Sequence, residues 1–198
     1  MLPIKQKIFG AALVIVPAMA AAESLAQSAQ ELVSESAAFE TMIARDALET
    51  ALSCWARGMD LTIGGEADAA LATWNACYAH PDYRFQVLFQ GQTIEGEGAA
   101  GRAETNVRTS AMFGYTGAYH YISNVEVEMG AEGAATATAL QTADHFREDG
   151  TVETTFGIIT VEFVQSDDGR WLALNETMDI ERMVGFAGLP APAAMIQQ

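Results

Sequence analysis

AYHYISNVEVEM (118–129), AATATALQTADHFR (134–147) and VETTFGIITVEFVQ (152–165) are three strand-length runs, and each is followed by a turn signal. Those signals are Gly130 to Gly133, Asp149-Gly150 and Asp167-Asp168-Gly169. A last strand starts at Arg170-Trp171 and reaches about Ile180. Long alternating runs joined by tight turns read as an antiparallel meander. Before them the pattern is helical. Phe39, Met42, Ile43, Ala47, Leu52, Trp55 and Met59 recur at steps of mostly three to five residues, up to Gly64-Gly65. A second helix spans about Glu66 to Tyr78, with Ala70, Leu71, Trp74 and Cys77 on one face and Pro81 as its stop. Tyr83 to Phe89 reads as a strand, and Glu97 to Met112 as a third helix despite its glycines. Helices first and a meander after them mean α+β. Three helices on one face of a strongly curved, mainly antiparallel sheet would make a cone-shaped α+β barrel with an internal pocket.

The ends of the chain read differently. Residues 1–22 have the form of an export signal: Lys5 and Lys7, an apolar run from Ile8 to Met19, and the small-x-small site Ala18-Met19-Ala20. That run is too short for a membrane span. The expected compartment is the bacterial periplasm. Residues 23–38 form a polar extension, 39–185 the domain, and 186–198 a tail that is either a lid or disordered. Removing Lys5 and Lys7 takes the formal charge from −16 to −18 and leaves eight arginines, no lysine and 26 acidic residues. Without a basic patch, nucleic acid and anionic membrane surfaces are poor partners. Cys54 and Cys77 fall on two helices; the spacing admits either a disulfide or two buried thiols. No Cys/His spacing points to a metal.

The chain has three histidines, His80, His120 and His145. His80 precedes Pro81 and reads as a helix-terminal residue. His120 and His145 lie on neighbouring strand runs behind a helix carrying Asp60. An aspartate can fix a histidine's tautomer and stabilise the imidazolium formed when it takes a proton. Asp60 could equally pair with Arg57 or solvent. Alternation puts His145 with Ala137, Ala139, Gln141 and Ala143, a row that leaves room for a ligand or for a closely packed helix. His120 conflicts with its own strand. Strict alternation groups His120, Ile122 and Asn124 with Glu126 and Glu128, opposite Val125, Val127 and Met129. A bulge between 120 and 125, or a strand whose two ends bury opposite faces, would turn His120 inward. The Tyr83 hydroxyl either holds a carbonyl oxygen at a pocket wall or fills the core. Trp55 reads as core.

Trp55-Ala56-Arg57-Gly58-Met59-Asp60 resembles the first-helix motif of the SnoaL-like branch of the nuclear transport factor 2-like superfamily, and within it the scytalone dehydratases. The similarity spans about Phe39 to Gly185. It implies Asp60 as a catalytic carboxylate, His120 as the general base paired with it and His145 as a second catalytic histidine. Asp82-Tyr83-Arg84 resembles the segment with a substrate-polarising tyrosine. Met59 stands where those enzymes have a second such tyrosine, and Thr160 near a ligand-contacting asparagine. Trp55 stands where a related bile-acid dehydratase has a catalytic tyrosine. Trp55, Met59, Asn124, Gln141 and Thr160 are thus expected to face substrate. The resemblance implies no cofactor. It points to a lyase, dehydratase-like, or an isomerase acting on a small apolar oxygenated ring compound. The alternative is a non-catalytic binding or oligomerisation module of the same fold. A homodimer or homotrimer through the outer sheet face, with Val and Phe of 152–165, is expected.

Overall fold

The computed structural model describes residues 15–131 and 133–185. Most of the export-signal segment (1–14) and the tail (186–198) lie outside the described residues. The first helix, α1, runs over Ile15–Ile63, so the polar extension expected at 23–38 is helical. The described residues fall into two compact units that part after Ile43. In the first unit Leu32, Phe39, Met42 and Ile43 are exposed, so the buried stripe does not begin at Phe39. In the second unit the stripe is Ala44, Leu48, Ala51, Leu52, Trp55, Met59 and Ile63, all buried. Steps of three and four place them on one helix face.

Helix α2 (Ala67–Cys77) is tied to α1 by the disulfide Cys54–Cys77, which takes up both cysteines of the chain. The Trp74 Nε1 donates to the Trp55 carbonyl at 3.1 Å. Gly58 makes that approach possible, because a Cβ there would stand 2.0 Å from the Trp74 indole nitrogen.

Six strands follow: β1 (Ala79–Phe89), β2 (Gln92–Glu97), β3 (Tyr115–Met129), β4 (Ala134–Arg147), β5 (Val152–Gln165) and β6 (Trp171–Val184). Helix α3 (Gly98–Phe113) comes between β2 and β3 and stops at Gly114, which is left-handed. The sheet order is β2-β1-β6-β5-β4-β3. All neighbours are antiparallel except β1 and β6. The architecture is α+β, with helices packed on a mixed, mostly antiparallel sheet. Two features depart from the sequence reading. Strand β2 was not expected, since its Gln90-Gly91 turn lacks the usual Asn-Gly or Asp-Gly signature; both residues have φ > 0, as a two-residue hairpin requires. The parallel β1–β6 pair joins the early hairpin to the late meander. Pro81 sits inside β1 where the register with β6 shifts, a place that needs no ladder N–H.

Helix α3 buries Ala99, Arg102, Ala103, Asn106 and Ser110. Three of these are polar, on a face that propensity alone would fill with Leu or Val. Among the described residues no helix is long and apolar enough to cross a membrane.

Candidate active site

The second unit holds a cavity of about 130 Å³. Met59, Ile63, Val87, Ile94, Met178 and Ile180 give it an apolar lining. Arg102, Asn106, His120, Gln141 and His145 supply polar groups. A dry cavity of roughly 150 Å³ accommodates a benzene ring, so this one is on the scale of a single ring.

His120 reaches the cavity because β3 carries a bulge. The register with β4 shifts between Ser123 and Glu126, and Asn124 there has φ +51°. Asparagine tolerates this left-handed conformation better than most residues. One extra residue turns His120 and Ile122 inward on one side of the bulge and Val125 and Val127 inward on the other. Asp60 then meets His120 from the helix side. Its Oδ1 accepts from the His120 backbone N–H at 2.9 Å and lies 2.8 Å from the ring Nδ1. With the proton on Nδ1 the second nitrogen, Nε2, keeps a free lone pair. The ring is clamped edge-on by Trp55 at 5.6 Å and by His145 at 5.7 Å.

His145 lies on the inward face of β4, as alternation predicts, together with Gln141. The alanine row is divided. Ala135, Ala137 and Ala139 belong to the core with Leu48, Leu52 and Trp55, whereas Gln141 and His145 line the cavity. Burial pushes the His145 imidazole down to about 4, and the neighbouring His120 adds to this; the Glu153 backbone and Asp144 oppose it. His145 is therefore neutral at neutral pH. Its Nδ1 is buried without a hydrogen-bond partner. Tyr115 stacks on it at 4.6 Å. The Tyr115 hydroxyl donates to buried Glu153, which also pairs with Arg147 at 2.5 Å. Burial and that carboxylate hold the Tyr115 hydroxyl protonated.

The structure thus brings Asp60, His120 and His145 together; the two histidines line the cavity with Met59 and Gln141, and Asp60 holds His120 from outside that lining. Tyr83 does not join them. Its ring is buried, and its hydroxyl donates to Glu176 Oε2, which also accepts from Tyr78 at 2.9 Å. Burial, then Glu176, raise both phenols well above their usual range. Trp55 is fully buried behind His120, outside the cavity wall. Asn124 is exposed and shapes the bulge. Thr160 points away from the buried row Ile159 and Val161 and faces Thr138 on the other side of the sheet, 3.4 Å between hydroxyls. Among the described residues no three His, Cys, Asp or Glu side chains gather to hold a metal ion.

Solved structures similar to this chain share that arrangement of helices and sheet. A candidate aromatic ring hydroxylase from Novosphingobium aromaticivorans is 23% identical, over 72% of this chain and 92% of its own, with a TM-score of 0.58. A candidate scytalone dehydratase from the same organism is 16% identical over 76% and 93%, TM-score 0.57. The hexachlorocyclohexane dehydrochlorinase LinA-type3 from Novosphingobium barchaimii is 16% identical over 77% and 97%, TM-score 0.59. The chain has the nuclear transport factor 2-like fold. No family model and no curated protein matches it. Within this fold, sequence reasoning missed Arg102, Tyr115, Glu153 and Glu176. Each is a polar residue at an inward position of its element. That inward placement was the available signal, legible for Glu153, which shares a β5 face with Thr155, Ile159 and Val161, and for Glu176, which shares a β6 face with Leu174, Met178 and Ile180.

Proposed function

We propose that the protein is a lyase, dehydratase-like, or an isomerase, acting on a small oxygenated ring compound by proton transfer through His120. One observation carries this: Asp60 holds His120 by Nδ1 at 2.8 Å, and His120, whose Nε2 makes no hydrogen bond among the described residues, lines a ring-sized cavity. Nε2 takes a proton from a carbon beside a carbonyl, and Asp60 stabilises the imidazolium. In an elimination the C–H electrons form the double bond, the C–O bond breaks, and the departing hydroxide takes the proton from His120 to leave as water. In an isomerisation the same proton returns to another carbon. His145, neutral, donates a hydrogen bond to the oxygen that gains charge, a role open to an imidazole whose pKa is lowered. Two fold relatives named above, a candidate dehydratase and a dehydrochlorinase, are named for eliminations.

The test is a panel of single-ring ketones and β-hydroxy ketones in D₂O, followed by NMR for deuterium entry beside the carbonyl and for loss of water. His120→Ala should slow the reaction of any active compound by roughly 10²–10⁴-fold. An unchanged rate in that variant would refute the assignment. Export of the chain is part of the proposal and is supported by the Cys54–Cys77 bridge, since such bonds persist in oxidising compartments. Fractionation of cells making the full chain, with the processed protein retained in the cytoplasm, would count against it.

A further inference from the structure

Glu153 stands directly opposite His145 in the β4–β5 pair, and both side chains are buried on the inward face. Such opposed residues have Cβ atoms about 5 Å apart. A carboxylate that close favours a charged imidazole. His145 is nevertheless neutral, and its buried Nδ1 has no partner among the described residues. The proton transfer proposed above depends on that. His120, whose ring centroid is 5.7 Å from that of His145, must itself take up a positive charge, and a second cation beside it would oppose this.

The oxygens of Glu153 are engaged elsewhere. Oε2 accepts from the Tyr115 hydroxyl. Oε1 lies 2.5 Å from Arg147 Nη2. That second contact is an ion pair without hydrogen-bond alignment, so Arg147 acts there as a nearby charge. The Glu153 side chain is 1% exposed and that of Arg147 is 24% exposed, so the cation sits at the rim of the cluster. Tyr115 pairs with Arg147 across β3 and β4, which brings the phenol to the same strand ends. Its ring stacks on His145 at 4.6 Å and on Phe113 at 5.5 Å, and the Arg147 guanidinium lies 5.5 Å from its centroid. The other charged groups around His145 have their own partners. Asp144, next to it in the chain, accepts from Thr154 at 2.7 Å. Asp60 holds His120, and Arg102 of α3, which lines the same cavity, is paired with Glu176.

We propose that Tyr115 and Arg147 are positioning residues for the proton transfer: they occupy both oxygens of Glu153 and so keep that carboxylate from pairing with His145. This rests on the reading above and adds the residues that set the state of its oxygen donor. An imidazole with no carboxylate partner remains an uncharged donor beside His120, and the stacked phenol fixes its ring.

The test is an NMR titration of the histidine rings in the full chain, with His145 assigned by its loss in His145→Phe. Wild-type His145 should be uncharged at pH 6. Arg147→Met should move its titration at least about one pH unit higher. Tyr115→Phe, which keeps the ring stack, should move it in the same direction. Adding Glu153→Gln to either variant should bring the titration back to the wild-type value or below, which repair of a packing defect would not do. An unmoved His145 in Arg147→Met, or a rise that persists once Glu153→Gln is added, would overturn the proposal. So would a wild-type His145 that is charged at pH 6. Should Arg147→Met fail to fold, Tyr115→Phe with and without Glu153→Gln gives the same two readings. On any active compound, the acid side of the rate–pH profile should shift to higher pH in Arg147→Met. The titrations themselves need no substrate. Deuterium entry through His120 with an unresponsive His145 keeps the lyase or isomerase reading and ends this proposal; a responsive His145 without turnover of any ring ketone does the reverse.

Discussion

Two polar clusters in this domain, one fully buried and one partly, are built from similar side chains and are left in opposite states. At Glu176 both carboxylate oxygens are filled, by Arg102, Tyr78 and Tyr83. At Asp60 and His120 one carboxylate oxygen takes two N–H groups, and among the described residues the buried His145 Nδ1 beside them has no partner. A saturated cluster holds a fold in place, because its groups have no capacity left for a ligand. A cluster with spare lone pairs at a cavity is equipped for proton transfer. Tyr83 is chemically able to polarise a carbonyl, yet it belongs to the saturated cluster.

The largest effect should come from breaking the saturated side. Glu176→Leu strands the Arg102 charge in the interior, at an expected cost of about 3–5 kcal/mol in denaturant unfolding. Asp60→Asn should instead cost about 1 kcal/mol or less in stability while lowering the rate on any substrate by orders of magnitude. Equal stability losses in the two variants would erase the distinction between the clusters.

A smaller effect comes from acid. The His145 pKa is about 4 in the folded protein and about 6.5 in the unfolded chain. Between those values the unfolded state binds more protons, so stability falls as pH drops through that window. The full effect is up to about 3 kcal/mol at the acid end. His145→Phe should flatten that part of the stability–pH curve. In the wild type, NMR should find the His145 ring neutral at pH 6; a ring that titrates near 6.5 would contradict its burial.

The smallest effect tests the bulge that delivers His120. Asn124→Gly should leave the melting temperature nearly unchanged. Asn124→Val should cost about 1 kcal/mol, since a β-branched residue resists φ +51°. If Asn124→Val melts like the wild type, the bulge does not depend on that residue.

Much of this was legible in the chain. The runs at 118–129, 134–147 and 152–165 became β3, β4 and β5 within a few residues of the expected limits, because period-two patterns and Gly-containing turns act locally. The place of His145 beside Gln141 was also legible, whereas the residues left Asp60 open to Arg57 or solvent and only the family resemblance implied its pairing with His120. Strand β2 was not. Its short QTIEGE sequence is weakly patterned, and its pairing is fixed by β1. The side-chain identity of Arg102 could not reveal its burial, because a surface helix commonly carries arginine.

By itself the sequence determined the α+β class, the α1 face that carries Leu52, Trp55 and Met59, and the inward face of β4. These depend on periodicities of 3.6 and 2, which each segment carries on its own. Tertiary structure alone decided that the bulge turns His120 inward, that Cys54 meets Cys77, that Tyr83 serves Glu176, and that Arg102 takes a place at the cavity. Each of those outcomes depends on which distant group lies within hydrogen-bond or bonding distance, and local pattern does not encode that distance.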